Sequence, residues 1–195
     1  MKFRVFAAIF LVTSFIFLGA ALARTATPPS AEKGAQTPRP NLRDWGSAPE
    51  LQNEVWINTE SAVRLADLRG KVILLEMWTY GCYNCRNVLP SLKKWHASYA
   101  DQGLVIIGNH YPEFTYEQDL ENLKKAVIEL EIPYAVAQDN DGVTWRAYSN
   151  RYWPTLYLID KRGHIRYTHI GEGSYEQTEA AIQALLAETA PSPGD

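Results

Sequence analysis

The sequence predicts an α/β protein in which one mixed central sheet is flanked by helices on both faces. Three observations carry this. Short apolar runs and helical stripes alternate along the chain in the order β-α-β-α-β-α-β-β-α. The first two runs, Lys71–Trp78 and Leu104–Gly108, are apolar without strict alternation, as strands covered on both faces are. The last two strands flank a tight polar turn and lead into a helix, so an antiparallel hairpin closes the pattern.

Taken in order, the first 23 residues differ from the rest. Lys2 and Arg4 form a basic start, and Val5–Ala23 is a run of 19 uncharged residues ending in the small-x-small sequence Ala21–Ala23. This fits a secretory signal peptide, and it is also just long enough to span a bilayer as an N-terminal membrane anchor. The small-residue site favours cleavage, and no cysteine lies near it to carry a lipid. Either outcome places the body of the protein outside the cytoplasm, in the periplasm or on the outer face of the cell membrane. Residues 24–44 contain Pro28, Pro29, Pro38 and Pro40 among small and polar side chains, a composition expected of a disordered tether that cannot offset the entropy of ordering its backbone. Residues 45–190 hold the folded domain, and 191–195, rich in Pro and Gly, a flexible tail.

Within the domain a short hairpin is expected around Trp56, then the strand 71–78. Cys82 to about Ala100 follows as a helix, with Val88, Leu89, Leu92, Trp95 and Tyr99 making its apolar stripe. Pro90 should kink this helix by removing a backbone donor. After the strand 104–108 comes a helix with Leu120, Leu123, Val127 and Leu130 on one face, opened by a capping box of Thr115 and Gln118. Tyr134–Ala137 is a third strand and Gly142–Tyr148 a short helix. Thr155–Ile159, the turn Asp160–Gly163 and His164–Ile170 form the hairpin. Ser174 and Gln177 offer a second capping box for a final helix through Ile182, Leu185 and Leu186.

Composition excludes some functions. Charged residues make up 21% of the chain, the net charge is −3, and no Lys/Arg run gives electrostatic support for nucleic-acid binding. Chemistry concentrates at the two cysteines, Cys82 and Cys85, which lie where a strand gives way to a helix. Their i, i+3 spacing puts both sulfurs on one helix face. At the helix start Cys82 meets free N–H groups and the positive end of the dipole, which favour a thiolate; Cys85 sits one turn deeper. An exposed nucleophile above a shielded resolving thiol is the arrangement that disulfide exchange requires. A purely structural disulfide is the competing reading, yet closing so short a loop gives only about 2 kcal/mol by chain entropy. Zinc would want about four ligands, and no second Cys/His pair is present. A haem attachment site would have His after Cys85, where Arg86 stands. Neither a metal nor a cofactor is therefore expected.

The segment Glu76–Arg86 with Pro90, followed by Trp153-Pro154-Thr155, resembles the thioredoxin superfamily. More narrowly, it is similar to exported TlpA/ResA-type thiol–disulfide oxidoreductases and to the thioredoxin-like domain of DipZ proteins. The likeness runs from about Trp45 to Glu188 and includes Tyr111–Phe114, Asp139–Gly142, Asn150–Pro154 and Gly171–Gly173. It implies a thioredoxin-like fold with an extra helix–strand insertion. It also implies a protein disulfide or dithiol as substrate and a separate membrane electron donor of the CcdA/DsbD type. Glu76 stands six residues before Cys82, where the superfamily places a buried Asp. Burial should raise its pKa and let it take the Cys85 proton. Pro154 matches the superfamily's cis-proline, and the resemblance implies that the Trp153 backbone pairs with an extended substrate. Trp78, Tyr80, Tyr83 and Trp153 should supply apolar surface around the sulfurs. His110 and Glu113 are expected in a loop near the site, with His110 satisfied locally.

Tyr83-Asn84 adds no positive charge between the cysteines, which favours a reductase over an oxidant. Two alternatives remain. A peroxidase on this fold would have Pro seven residues before Cys82, where Leu75 stands, although Thr79 fits the hydroxyl position of that pattern. A non-enzymatic client-binding module would use the cysteines only as a brace.

Overall fold

The computed structural model describes residue 40 and residues 42–190. The leader 1–23, most of the tether and the tail 191–195 lie outside the described residues. Among the described residues no helix is long and apolar enough to cross a membrane.

Ten elements follow one another: β1 (Val55–Ile57), β2 (Val72–Trp78), α1 (Tyr83–Tyr99), β3 (Leu104–His110), α2 (Leu120–Glu129), β4 (Ala135–Gln138), α3 (Val143–Ala147), β5 (Thr155–Ile159), β6 (Ile165–Ile170) and α4 (Tyr175–Leu186). The strands form one sheet in the order β1-β4-β3-β2-β5-β6. β2 is parallel to β3 and antiparallel to β5, so the sheet is mixed. Its central strand is buried at all seven positions, which explains why the sequence there shows no alternation.

The pleat sends alternate residues of β2 into two cores. Val72, Leu74 and Trp78 join Leu156 and Leu158 of β5 and the stripe Val88, Leu89, Leu92 and Trp95 of α1, together with Leu123 and Val127 of α2 and Ile182 and Leu185 of α4. Ile73, Leu75 and Met77 face the other way, onto Ile107, Tyr157, Ile159, Trp145 of α3 and Tyr148 just after it. α1 runs unbroken from Tyr83 to Tyr99 with Pro90 inside it on an exposed position.

Several local expectations are corrected. No hairpin forms around Trp56: β1 is a lone strand pairing antiparallel with β4, with Trp56 opposite Ala137. The chain before it is engaged at the opposite sheet edge, where Trp45 N–H donates to the Ile165 carbonyl and Ser47 bridges His164. Residues 42–44, expected in the tether, are held by the domain. Leu42 packs on the core and its carbonyl accepts from Arg166, Arg43 lies 4.5 Å over the Trp45 ring, and Asp44 pairs with His164 at 3.0 Å. Thr115 and Gln118 form a separate 3-10 turn, and α2 is capped by Asp119, which accepts the Asn122 N–H at 2.9 Å. Ser174 makes no side-chain cap, because its backbone is left-handed (φ 48°).

Candidate active site

The site lies where the C-terminal end of β2 turns into α1. The Cys82 N–H donates to the Thr79 carbonyl at 3.3 Å, and Cys82 itself occupies the N-cap of α1. Its sulfur therefore takes the acceptor place that a Ser or Asp side chain fills at other helix starts: the Cys85 N–H donates to Cys82 Sγ at 3.3 Å. Both cysteines are free; Cys82 is half-buried and Cys85 completely buried. Burial pushes the Cys85 thiol well above its ordinary value, and the nearby Glu76 charge pushes it further.

Glu76 is fully buried in the middle of β2, and neither of its oxygens has a hydrogen-bond partner. The Tyr134 hydroxyl stands near enough to favour the charged form slightly, but it too closes no well-formed hydrogen bond. Desolvation dominates and carries the Glu76 carboxyl from 4.5 up to about 8. Glu76 and Cys85 thus form a buried pair in which one negative charge is tolerated and two are not.

The Trp153–Pro154 peptide is cis. Thr155, the next residue, pairs with Met77 of β2, so the cis peptide opens β5 at the end of the sheet where β2 finishes. Trp153 is half-buried and held in an aromatic stack, 4.6 Å from Trp145 and 5.8 Å from Tyr111, with its indole N–H on the Tyr111 carbonyl at 3.1 Å. Tyr83 projects from the first turn of α1 and is 76% exposed. Tyr80, three residues earlier, is half-buried and stacked on His110 at 5.4 Å. Trp78 departs from its expected place. It is fully buried under the site, packed so closely on Gly108 that a Cβ there would lie 2.7 Å from its indole nitrogen, and it offers no surface to a partner.

His110 is not a loop residue. It ends β3 opposite Trp78, is fully buried, and places Nε2 3.2 Å from the Thr79 hydroxyl while Nδ1 has no partner. Burial lowers its pKa to about 4, against an opposing pull from Glu117, so the ring stays neutral under ordinary conditions. Glu113 is exposed and contributes its backbone N–H to Glu117. Glu117 itself escaped the sequence reading. It is a fully buried carboxylate whose partner at the site is the residue before Cys82. The only hint was an acidic residue inside an aromatic tract, Phe114–Glu117. Among the described residues no group of three or more acidic, His or Cys side chains could hold a metal ion.

A cysteine pair at a strand–helix junction, a buried carboxyl beside the second cysteine and a cis-proline opening the antiparallel neighbour of that strand, all on a mixed sheet, define the thioredoxin-like class. The AhpC/TSA family model matches residues 46–168, and the chain belongs to that family. Protein DipZ of Mycobacterium bovis is 41% identical over 153 residues, a match that covers 77% of this chain and 22% of DipZ. The thiol–disulfide oxidoreductase YkuV of Bacillus subtilis is 29% identical over 142 residues, covering 72% of this chain and 95% of YkuV. Among solved structures, a thioredoxin-like superfamily protein superposes with a TM-score of 0.70 at 35% identity, covering 74% of this chain and 99% of its own. A thiol:disulfide interchange protein DsbE from Chlorobium tepidum gives 0.65 at 25% identity, with 75% and 99% covered.

Proposed function

We propose that this chain is a thiol–disulfide oxidoreductase that reduces disulfides in other proteins outside the cytoplasm. One observation carries the reading: the sulfur of a partly exposed Cys82 caps α1 while Cys85, one turn on, is completely buried beside the Glu76 carboxyl. In the reaction, the Cys82 thiolate attacks one sulfur of a substrate disulfide, the substrate S–S bond breaks, and one substrate thiolate leaves. Cys85 then gives its proton to ionised Glu76 and attacks Cys82 Sγ. The mixed disulfide breaks, the second substrate thiolate departs, and the Cys82/Cys85 dithiol has given up two electrons to become a disulfide. Since the Glu76 charge disappears as the Cys85 charge appears, the buried pair never carries two negative charges. A carboxyl titrating near 8 can also return this proton when the pair is reduced again.

Turnover needs a dithiol donor to reduce the disulfide, which the resemblance to DipZ proteins suggests is a membrane protein of the CcdA/DsbD type. Extracytoplasmic location is supported by the basic, then apolar, first 23 residues. Tyr83, Tyr80 and Trp153 form the apolar rim that an extended client would meet, with the Trp153 backbone pairing to it ahead of Pro154.

The test is a trap. Cys85→Ala should stop the reaction at the mixed disulfide, leaving a client joined to Cys82 and released by added dithiol, while Cys82→Ser should capture nothing and reduce nothing. Disulfide reduction by Cys82→Ser at the wild-type rate would defeat the reading.

A further inference from the structure

Glu117 is a buried carboxylate that the exchange reaction above does not use. It lies 36 residues beyond Gly81 in sequence, yet its Oε1 accepts the Gly81 N–H at 2.8 Å, while Oε2 accepts the N–H groups of Glu113 at 2.7 Å and Phe114 at 2.9 Å. Among the described residues no Lys, Arg or His forms an ion pair with it. Burying a charge without a counter-ion is costly, and three backbone donors are what offset that cost here. An anchor for the 113–117 loop alone would need only the Oε2 bonds; the Oε1 bond reaches across to the turn that carries Cys82.

Gly81 fits this contact closely. A Cβ at position 81 would lie 2.5 Å from Glu117 Oε1 and 3.1 Å from the Tyr116 hydroxyl, so any larger residue must displace the carboxylate. A second tie runs parallel: the Tyr80 hydroxyl donates to the Tyr116 carbonyl at 3.1 Å. The same loop carries two exposed rings, Phe114 (49%) and Tyr116 (54%), stacked at 5.6 Å and 5°. One side chain therefore joins the residue preceding Cys82 to a loop that presents aromatic surface. The Glu117 charge is also felt at Tyr80, where it adds to burial in pushing the phenol up.

We infer that Glu117 is a positioning residue for the exchange reaction, clamping the Gly81 amide so that Cys82 is held in register with the Phe114–Tyr116 rim. The inference rests on Cys82 being the attacking thiol.

The test is a double-mutant cycle in the full chain. Glu117→Gln keeps the shape but can present only one oxygen to donors on both sides, so the clamp opens on one of them. With cooperative unfolding retained, kcat for disulfide reduction should fall about tenfold while KM for a small non-protein disulfide stays within about twofold. Gly81→Ala should cost a similar factor in the wild-type background and less than about twofold more once Glu117→Ala has removed the clashing carboxylate. If the two losses simply multiply, or if Glu117→Gln turns over like wild type, the positioning role is wrong. Should Glu117→Gln not fold, Gly81→Ala alone decides: a fall in kcat supports the clamp and an unchanged kcat overturns it. Cys82→Ser separates this inference from the reading beneath it. An active Cys82→Ser protein defeats the exchange mechanism itself, whereas an inactive one beside a fully active Glu117→Gln defeats only the clamp.

Discussion

Replacing Glu76 by Gln should make the protein more stable and less active at once, and the structure sets the size of the stability change. The folded carboxyl titrates near 8 against an ordinary 4.5, because it is fully buried with no hydrogen-bond partner. Below 4.5 the group is protonated in both folded and unfolded chains and contributes no pH dependence. Between 4.5 and 8 the unfolded chain releases the proton that the folded one keeps, so stability declines as pH rises, and above 8 the full cost is present. At about 1.4 kcal/mol per pH unit this amounts to roughly 5 kcal/mol above pH 8 and roughly 3 kcal/mol at pH 7. Gln, of the same shape and uncharged, has no such titration. Urea unfolding of both proteins from pH 4 to 9, in the same redox state, should give curves whose separation widens from pH 4.5 upward. His110 has the opposite sign: its folded value of about 4 lies below the ordinary 6.5, so it costs stability as pH falls through that interval. The two slopes oppose each other between 4.5 and 6.5, and the difference between wild type and Glu76→Gln isolates the carboxyl. In the same variant, resolution of the mixed disulfide should slow by about 10²–10⁴, the usual worth of a positioned proton acceptor. Wild-type and variant stability curves that run parallel across this whole range would refute the burial argument.

Three further outcomes follow from the geometry. Gly108→Ala should lose about 1–3 kcal/mol in urea unfolding, since its Cβ would meet the Trp78 indole at 2.7 Å inside a closed core. Asp139→Ala should cost about 2–3 kcal/mol in the same assay, because its carboxylate caps α3 through the Thr144 and Trp145 N–H groups at 3.2 and 2.7 Å and also accepts from Asn109 at 3.0 Å. Tyr83→Ala, at a site 76% exposed, should leave stability within about 0.5 kcal/mol while raising KM for a protein disulfide and not for a small one, as read from steady-state reduction rates.

Much of this molecule is legible along the chain because its signals are local. Strand β2 announces itself by six apolar residues in seven, broken only by Glu76, and α1 by a stripe from Val88 to Trp95 with the period of a helix. The cysteine pair stands out because a strand ends and a helix begins around it, so the helix terminus and the sulfurs coincide in sequence. Two of the misses turn on partners far away along the chain, and one on a local turn. Trp56 pairs with a strand some eighty residues later rather than with its neighbours. His110 is buried because β3 runs two residues further than its apolar run, locking its ring between Trp78, Tyr80 and Thr79. Asp119 outcompetes Thr115 as a cap because the backbone from 115 to 118 closes into its own tight turn.

The sequence by itself determined the alternation of strands and helices from β2 onward and the pair of sulfurs at the helix start, since periodicity and adjacency are properties of the chain. Only the tertiary structure decided that Trp78 is core and not surface, that Glu76 is sealed beside Cys85, and that Glu117 reaches the Gly81 amide. Burial and hydrogen bonding depend on which distant segments the sheet brings together, and no short window of residues encodes that meeting.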